Sequence, residues 1–571
     1  QTHLFANADD PANGNPSKFL PSEAEQRLST NTWLLNTTRY VCYLEHAARA
    51  RLSDPVQHRH RSSCDRMMSI EQLSLIVNRH LGLDTYTDKL QSSKKWAIFE
   101  SPLGGRGLVA TEDIKAGEVL FVDHPLVSGP RSGTNVQRGC TVCRKIVSDA
   151  FFKCSKCALL LCSEECENSD VHFSDCSIIS CWPNKVPIED VDDTLLSRSL
   201  TAIRALLLNE EQRNLLTSLQ AHVSPQHGSE IRSLKEYFDI PSQVEQFMTF
   251  VSCVLDANAF QMATPYGKKE MSLRGLYPVS SIMNHNCVSN TRHTFNFDSQ
   301  MTVKAVKPIR IGTEIFTCYS GMLWGTPARR LHLYKTKHFF CKCDRCADPT
   351  ERGTLLAALK CFSTECPGSM LPLEPLKTNT AWRCLDCGLR VPSSNICAVQ
   401  SALGSLVGSL DFENVAALEN YFLNRITKYI PKTNQIVIDL QCRLIWVLGE
   451  AEGFRWDELS ESRLELKERL CRGTLRTVAA LGAGDAHLRG LLLYHLHAAL
   501  AERARRLPDL YEELKSEIEN TIEQAYNILQ GDLSAPPDLE LRRQYLGPGC
   551  DKPHEERFFI LDASDRFFQL N

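Results

Sequence analysis

The residues of this chain with the clearest chemistry are thiols set at short, repeated intervals. Cys140-x2-Cys143, Cys154-x2-Cys157, Cys162-x3-Cys166 and His172-x3-Cys176 place eight candidate ligands within 37 residues. Zinc takes four tetrahedral thiolate or imidazole donors, so eight ligands serve two ions. So short a segment cannot bury much apolar surface, and metal ligation supplies the missing folding energy. An alternating assignment puts Cys140, Cys143, Cys162 and Cys166 on one ion. Cys154, Cys157, His172 and Cys176 then hold the other. The plainer alternative is a set of incidental buried thiols. Further on, Cys341-x-Cys343-x2-Cys346 offers three thiols and needs a fourth. Cys287 is the nearest distant candidate, and using it would staple the region around 287 to the 341–346 loop. Cys361, Cys366, Cys384 and Cys387 form one more quartet. Four closed sites with no open position read as structural zinc, about four ions per chain. Nine of the 24 cysteines have no metal role in this scheme. Cys181 is one of the spares.

The elements around these thiols change character along the chain. Residues 1–65 are polar and read as a flexible arm, with Met67 and Met68 as alternative starts. Ser69–Leu81 reads as a short helix with Ile70, Leu73, Ile76, Val77 and His80 near one face. Trp96–Phe99, Leu108–Ala110 and Val119–Val122 read as short antiparallel strands. Glycine-rich turns at 101–107 and 113–118 punctuate them. Helical sequence dominates from about 190 to 262, strand and turn signals return over 271–319, and the second cysteine block follows. From about 395 to 530 the pattern is a series of amphipathic helices, near 413–429, 434–448, 458–480, 486–507 and 510–530. Asn434 and Asp457 stand where they could cap two of these. The apolar end at Phe558–Leu561 and Phe567-Phe568 reads as packing back onto a domain.

Composition narrows the function classes. At 571 residues the chain calls for several domains. It is 43% hydrophobic and 23% charged, which is globular composition. Lys+Arg 64 against Asp+Glu 68 gives a net charge of −4, with no basic field for nucleic acid. No apolar run of membrane-spanning length occurs. The first thirty residues lack a signal-peptide core, and the chain opens on Gln1, so a native start upstream is open. With no export signal, paired cysteines read as zinc ligands in a reducing, intracellular compartment.

Read in order, the motifs resemble those of the SET-and-MYND family of protein lysine methyltransferases, in particular its insect-type branch. The resemblance is carried by Gly104-Gly105-Arg106-Gly107-Leu108, the first cysteine array, Asn258-Ala259-Phe260 and Asn284-His285-Asn286-Cys287-Val288-Ser289-Asn290. Gly312-Thr313-Glu314-Ile315-Phe316-Thr317-Cys318-Tyr319, Phe339 and Cys341-Lys342-Cys343-Asp344-Arg345-Cys346 complete it. It covers about 90–390 with specific motifs and 395–530 through helical character alone.

What this implies is an α+β multidomain chain with a split SET β-fold. The expected divisions are an N-terminal arm (1–65), a helical lead-in (66–92) and the first part of the SET domain (93–135). An inserted MYND zinc finger (140–176) and a helical insert (185–265) follow. The SET catalytic core (270–325), a zinc-bound post-SET region with the extra quartet (326–394) and a C-terminal antiparallel helical array (395–571) complete the series. The implied cofactors are S-adenosylmethionine and zinc. The implied activity is methylation of lysine on histone or non-histone proteins, with nucleus and cytoplasm as the expected locations. The alternative is a weak or inactive scaffold that recruits partners in transcriptional regulation.

By the same resemblance Tyr319 is the catalytic tyrosine, orienting amine and methyl group, where its position alone would suggest a core tyrosine at a strand end. Gly105, Arg106 and Gly107 form the first cofactor loop, Asn284 and His285 the cofactor-binding pair, and Asn258 and Phe339 further cofactor contacts. The finger is expected to take proline-rich protein segments, and the protein substrate presents a lysine. Direct nucleic-acid binding and membrane attachment are not expected, and a monomer is the default.

The chain also departs from the family pattern. Ser289 stands where proline is common. Lys337 stands two residues before Phe339, where the family often has a tyrosine that helps line the lysine channel. The stretch from Cys166 to His172 is two residues shorter than usual and lacks a tryptophan. Trp324, Arg329 and Arg330 are not diagnostic, and Cys318 reads as a small buried residue.

Overall fold

A computed structural model of the chain describes residues 68–83, 94–131, 137–146, 151–222, 228–266, 270–412 and 414–567. The expected arm at 1–65 and Phe568 lie outside the described residues. The first described element is the helix Ile70–His80. Ser69 caps it by accepting the Gln72 N–H, and the Gln72 side chain returns to the Ser69 N–H as a capping box. Its Leu73 and Val77 are fully buried.

Strands Trp96–Glu100 and Arg106–Ala110 pair as an antiparallel hairpin with Trp96 opposite Ala110. Alternation puts Trp96 and Ile98 in the core. The hairpin turn needs glycine, since Gly104 and Gly105 have φ of +99° and +75°. Strand Glu314–Thr317 adds antiparallel to the second hairpin strand, and Asn284–His285 adds parallel to it, Phe316 opposite Asn284. This sheet therefore brings together segments some 200 residues apart in sequence. Two three-stranded sheets share a core with it. One orders Thr291–Phe295, Met301–Ala305 and Val119–Asp123. The other orders Val127–Pro130, Leu273–Leu276 and Phe260–Gln261.

Between those halves sit a small two-stranded sheet, Phe152–Lys153 with Leu160–Leu161, and the helices Glu164–Glu167 and Asp170–Ile179. Helices Asp193–Arg204, Glu210–Ser218, Ser229–Leu234 and Ser242–Asn258 form the insert. The last of these brings Asn258 to the site. After strand Glu314–Thr317, helix Thr326–Lys337 ends at His338, whose φ is +60°.

The second cysteine block folds into a four-stranded antiparallel sheet, which the sequence pattern did not foretell. Its strands are only two to four residues long. Metal ligands and turns therefore dominate its sequence, and no alternation is long enough to read. The C-terminal helices Ser393–Gly408, Gln435–Val447, Glu461–Ala480, His487–Arg506 and Pro508–Leu529 pack around one large apolar core. Asn434 caps the second of these by accepting the Ile436 N–H at 2.9 Å. Asp457 does not cap the third. It lies inside the short turn Trp456–Glu458, closed when the Glu458 carboxylate accepts the Arg455 N–H, and the long helix begins at Glu461. Phe558 packs into the same core, as expected, while Phe559 faces out.

A second large core holds the first helix, these β-sheets, the first cysteine array and the insert helices. A small third cluster, Cys287, Leu333, Cys341 and Cys346 with Tyr319 against it, is separate from both. Among the described residues no helix is long and apolar enough to cross a membrane.

Candidate active site and metal centres

Each of the four quartets expected from spacing is gathered in space. Cys140/Cys143/Cys162/Cys166, Cys154/Cys157/His172/Cys176, Cys287/Cys341/Cys343/Cys346 and Cys361/Cys366/Cys384/Cys387 each have their donor atoms within 4.8 Å of one another. The sulfur separations decide between metal and disulfide. Cys143 to Cys162 is 3.3 Å, Cys287 to Cys346 3.5 Å, Cys361 to Cys387 3.6 Å and Cys366 to Cys384 3.7 Å. A disulfide requires about 2.05 Å. A tetrahedron built on bonds of about 2.3 Å has edges of about 3.8 Å, close to these values. His172 turns Nε2 toward the Cys157 sulfur at 3.4 Å, while its Nδ1 donates to the Glu167 carbonyl at 2.6 Å. That contact fixes the ring so that the unprotonated nitrogen faces the cluster. All four donor sets fit zinc.

The Cys287 quartet lies directly behind the candidate active face. The His285 Nε2–H points at the Cys287 sulfur, 3.2 Å away, and its Nδ1 accepts the backbone N–H of Tyr319 at 2.9 Å. One imidazole therefore ties the tyrosine's backbone to a metal ligand. Burial pushes its pKa down to about 3, so the ring is neutral and this tautomer persists. The Tyr319 hydroxyl donates to the Met283 carbonyl at 2.5 Å. Its lone pairs are left to accept from another group. Burial, with a smaller push from Glu314, raises the phenol pKa above its ordinary value. The hydroxyl stays protonated and cannot serve as a base.

His285 and Tyr319 rings stand 5.2 Å apart, and His285 and Phe339 rings 6.0 Å apart. Phe339 is 36% exposed, which leaves ring surface available for stacking. Asn284 and the glycine loop meet across the sheet. The Asn284 amide donates to the Arg106 carbonyl at 3.1 Å and to Glu314 Oε1 at 2.7 Å. Ser101 Oγ donates to the same carboxylate at 2.9 Å. Gly107 is required by this packing, not by its backbone angle. A Cβ there would come within 2.5 Å of Glu314 Oε1 and 3.0 Å of Asn284 Nδ2.

Not every expected site residue offers its side chain here. The Arg106 guanidinium donates to the Ser218 carbonyl, and the Asn258 amide donates to the Gln220 and Val254 carbonyls at 2.7 and 2.8 Å. The Arg106 contact ties the glycine loop to the insert, while the Asn258 contacts fasten the end of its own helix within the insert. Lys337 reaches the same region. Its Nζ donates to the Ala257 carbonyl at 2.6 Å and to the Asp256 carbonyl at 3.3 Å, at the end of the insert helix. It lies over the Tyr319 ring, 5.7 Å from the centroid.

Several structural residues escaped the sequence reading. Glu314 and Asn290 stood within quoted motifs but had no role. Asn290 donates to the Glu314 carbonyl at 2.8 Å and accepts the Phe316 N–H at 2.7 Å, bracing the strand that leads to Tyr319. Arg329, left undiagnosed by sequence, is fully buried with Arg345 against Glu351. Glu351 Oε2 accepts from Arg329 at 2.6 Å and from Arg345 at 3.1 Å. Arg329 also donates to the Cys346 sulfur at 3.5 Å, which would offset thiolate charge at that quartet. The two partners that complete this ion cluster lie 16 and 22 residues along the chain, so no local pattern marks it.

The chain is similar to known SET-domain proteins. A SET domain profile matches residues 105–320. The Drosophila melanogaster SET domain-containing protein SmydA-8, isoform A, is 32% identical over 430 residues, covering 74% of this chain and 91% of its own. Human Histone-lysine N-methyltransferase SMYD3 is 25% identical over 306 residues, 50% of this chain and 69% of that protein. Xenopus laevis N-lysine methyltransferase SMYD2-A is 27% identical over 266 residues, 44% of this chain and 60% of its own.

Proposed function

Because this chain belongs to the SET-and-MYND family of SET-domain proteins, we propose that it transfers a methyl group from S-adenosylmethionine to lysine side chains of proteins. The observation that carries this reading is Tyr319, its phenol held by the Met283 carbonyl and its backbone N–H by His285, just beyond the strand that pairs with Asn284, with Phe339 beside the His285 ring. The cofactor fits the donors present. The free ring surface of Phe339 suits adenine. The aromatic faces of Tyr319 and Phe339 suit a sulfonium cation. When bound, it supplies an electrophilic methyl on sulfur.

The chain's residues then have distinct tasks. Tyr319 and the Met283 carbonyl present oxygen dipoles where positive charge develops on the acceptor nitrogen. Asn284, braced by Glu314, holds the loop Gly105–Gly107 in place for the cofactor. Burial of the site excludes competing water. Orienting amine and methyl in line supplies much of the rate, since the phenol is no base.

The first array, Cys140–Cys176, is proposed as a MYND zinc finger, and Cys287 with Cys341–Cys346 as the post-SET zinc site. The proposed SET domain is split into 93–135 and 270–325 around the finger (140–176) and the helical insert (185–265). The acceptor is a protein lysine on a histone or another intracellular protein, in nucleus or cytoplasm. Proline-rich segments are the proposed ligands of the finger.

The test is methyl transfer from labelled cofactor to an extract of intracellular proteins and to purified histones. Wild type and Tyr319→Phe would be compared at equal zinc content. Lysine labelling that falls on the order of 10²-fold in the variant supports the reading. A wild-type protein that binds cofactor but labels nothing in either pool overturns it.

A further inference from the structure

Lys337 is the site feature that this reading leaves unused. It sits in the last turn of helix Thr326–Lys337, two residues before the aromatic at Phe339. Its ammonium stem does not run to solvent. The Nζ is held by two carbonyls at the end of helix Ser242–Asn258, beside Asn258, and stands over the Tyr319 ring. The end of a helix attracts a cation. Burial opposes that attraction and lowers the amine's pKa to about 8, against a smaller pull from Asp256, whose carboxylate is engaged by Arg274 at 3.3 Å.

A neutral amine has two N–H bonds and one lone pair. The Ala257 and Asp256 carbonyls account for both N–H bonds, which leaves the lone pair uncommitted. The Nζ stands over the Tyr319 ring, 5.7 Å from its centroid, so an amine that leaves these two carbonyls is within reach of the Tyr319 hydroxyl, and here the chain provides that amine itself. We propose that Lys337 is a methyl acceptor in cis, an internal lysine that this protein methylates on itself. The proposal rests on the methyltransferase reading above.

In the step, the Nζ lone pair forms the new N–C bond to the donated methyl. The sulfur–methyl bond breaks with its electron pair on sulfur, so the sulfonium becomes a thioether. The amine's extra proton leaves to water. Each methyl added replaces an N–H donor, so methylation loosens the hold of Lys337 on the insert helix.

The experiment uses the full chain with its zinc and cofactor carrying a deuterated methyl group, followed by peptide mass spectrometry. The cellular extract is present in a parallel arm. The expected result is label on Lys337 at a rate per molecule that does not change on dilution. It falls on the order of 10²-fold in Tyr319→Phe. Lys337→Arg keeps donors for both carbonyls and should carry no label at that position while melting like wild type. A second measurement needs no turnover. An amine-reactive ester applied to the cofactor-free protein should modify Lys337, and S-adenosylhomocysteine should protect it. Label on extract proteins with Lys337 unmodified overturns the inference and leaves the methyltransferase reading standing. So does Lys337 labelling that scales with protein concentration, or an ester reaction that S-adenosylhomocysteine does not slow. Absence of label from every protein, with cofactor bound, overturns both.

Discussion

Replacing Gly107 with alanine places a methyl group 2.5 Å from Glu314 Oε1 and 3.0 Å from Asn284 Nδ2. The carboxylate must move, and with it the amide that braces the cofactor loop. Overpacking of this kind costs about 1–3 kcal/mol. We expect Gly107→Ala to weaken cofactor binding measured by calorimetry through the Glu314 contact, whereas at Gly105 the demand lies in the backbone, whose φ is +75°. Equal affinity in Gly107→Ala and wild type would show that the Glu314 contact does not position the loop. The contrast also shows what sequence could supply. Gly105 and Gly107 both read as a cofactor loop, but only coordinates separate a backbone requirement from a packing one. Tyr319, His285 and the sixteen ligands were legible because their types and order are distinctive. Glu314, Ser101 and Glu351 were not, because carboxylates and hydroxyls occur everywhere and their partners here come from distant segments.

At the scale of an element, helix Glu461–Ala480 carries a fully buried lysine. The Lys467 Nζ donates to the Ile445 and Leu448 carbonyls at 2.8 and 2.5 Å and meets His495 Nδ1 at 3.2 Å. Burial lowers its pKa from 10.5 to about 8, with Cys471 and Glu450 pulling up and Arg542 pushing down. Between those values the unfolded chain holds a proton that the folded chain has released. Stability contributed by this group therefore rises with pH across that window, and its charge-burial cost is fully present below it. Unfolding free energies for wild type minus Lys467→Met should show this slope between pH about 8 and 10.5. A flat difference would mean the amine titrates normally. The helix itself was legible from its apolar period, but its start was not. Asp457 is a good capping residue by type, yet the local turn with Arg455 and Glu458 uses that stretch first. Helix Ser393–Gly408 went unread because it follows the last strand of the cysteine sheet after a single proline.

For the whole molecule, metal content is the simplest expectation. Four quartets predict about four zinc ions per chain by elemental analysis. Chelation should cost methyl transfer together with cooperative melting, because the Cys287 quartet supports His285 and Tyr319 directly. Two ions or fewer in active, fully folded protein would refute the assignment. The lobes are also joined away from the metals. Asp485 donates its N–H to the Val306 carbonyl at 2.8 Å, Arg292 donates to the Asp485 carbonyl at 3.0 Å, and the Leu533 N–H donates to the Phe295 carbonyl at 2.8 Å. These bonds dock the helical array on the strand pair Thr291–Phe295 and Met301–Ala305. The SET profile ends at residue 320, whereas Phe339, Lys337 and three of the four thiols behind His285 lie beyond it. A gene fragment that ends at residue 320 would thus encode every strand of the catalytic sheet and still yield a protein with one wall missing. Anyone dissecting this enzyme should cut no earlier than the last ligand of that quartet, Cys346. During synthesis, likewise, the active face can close only after the ribosome has released that cysteine.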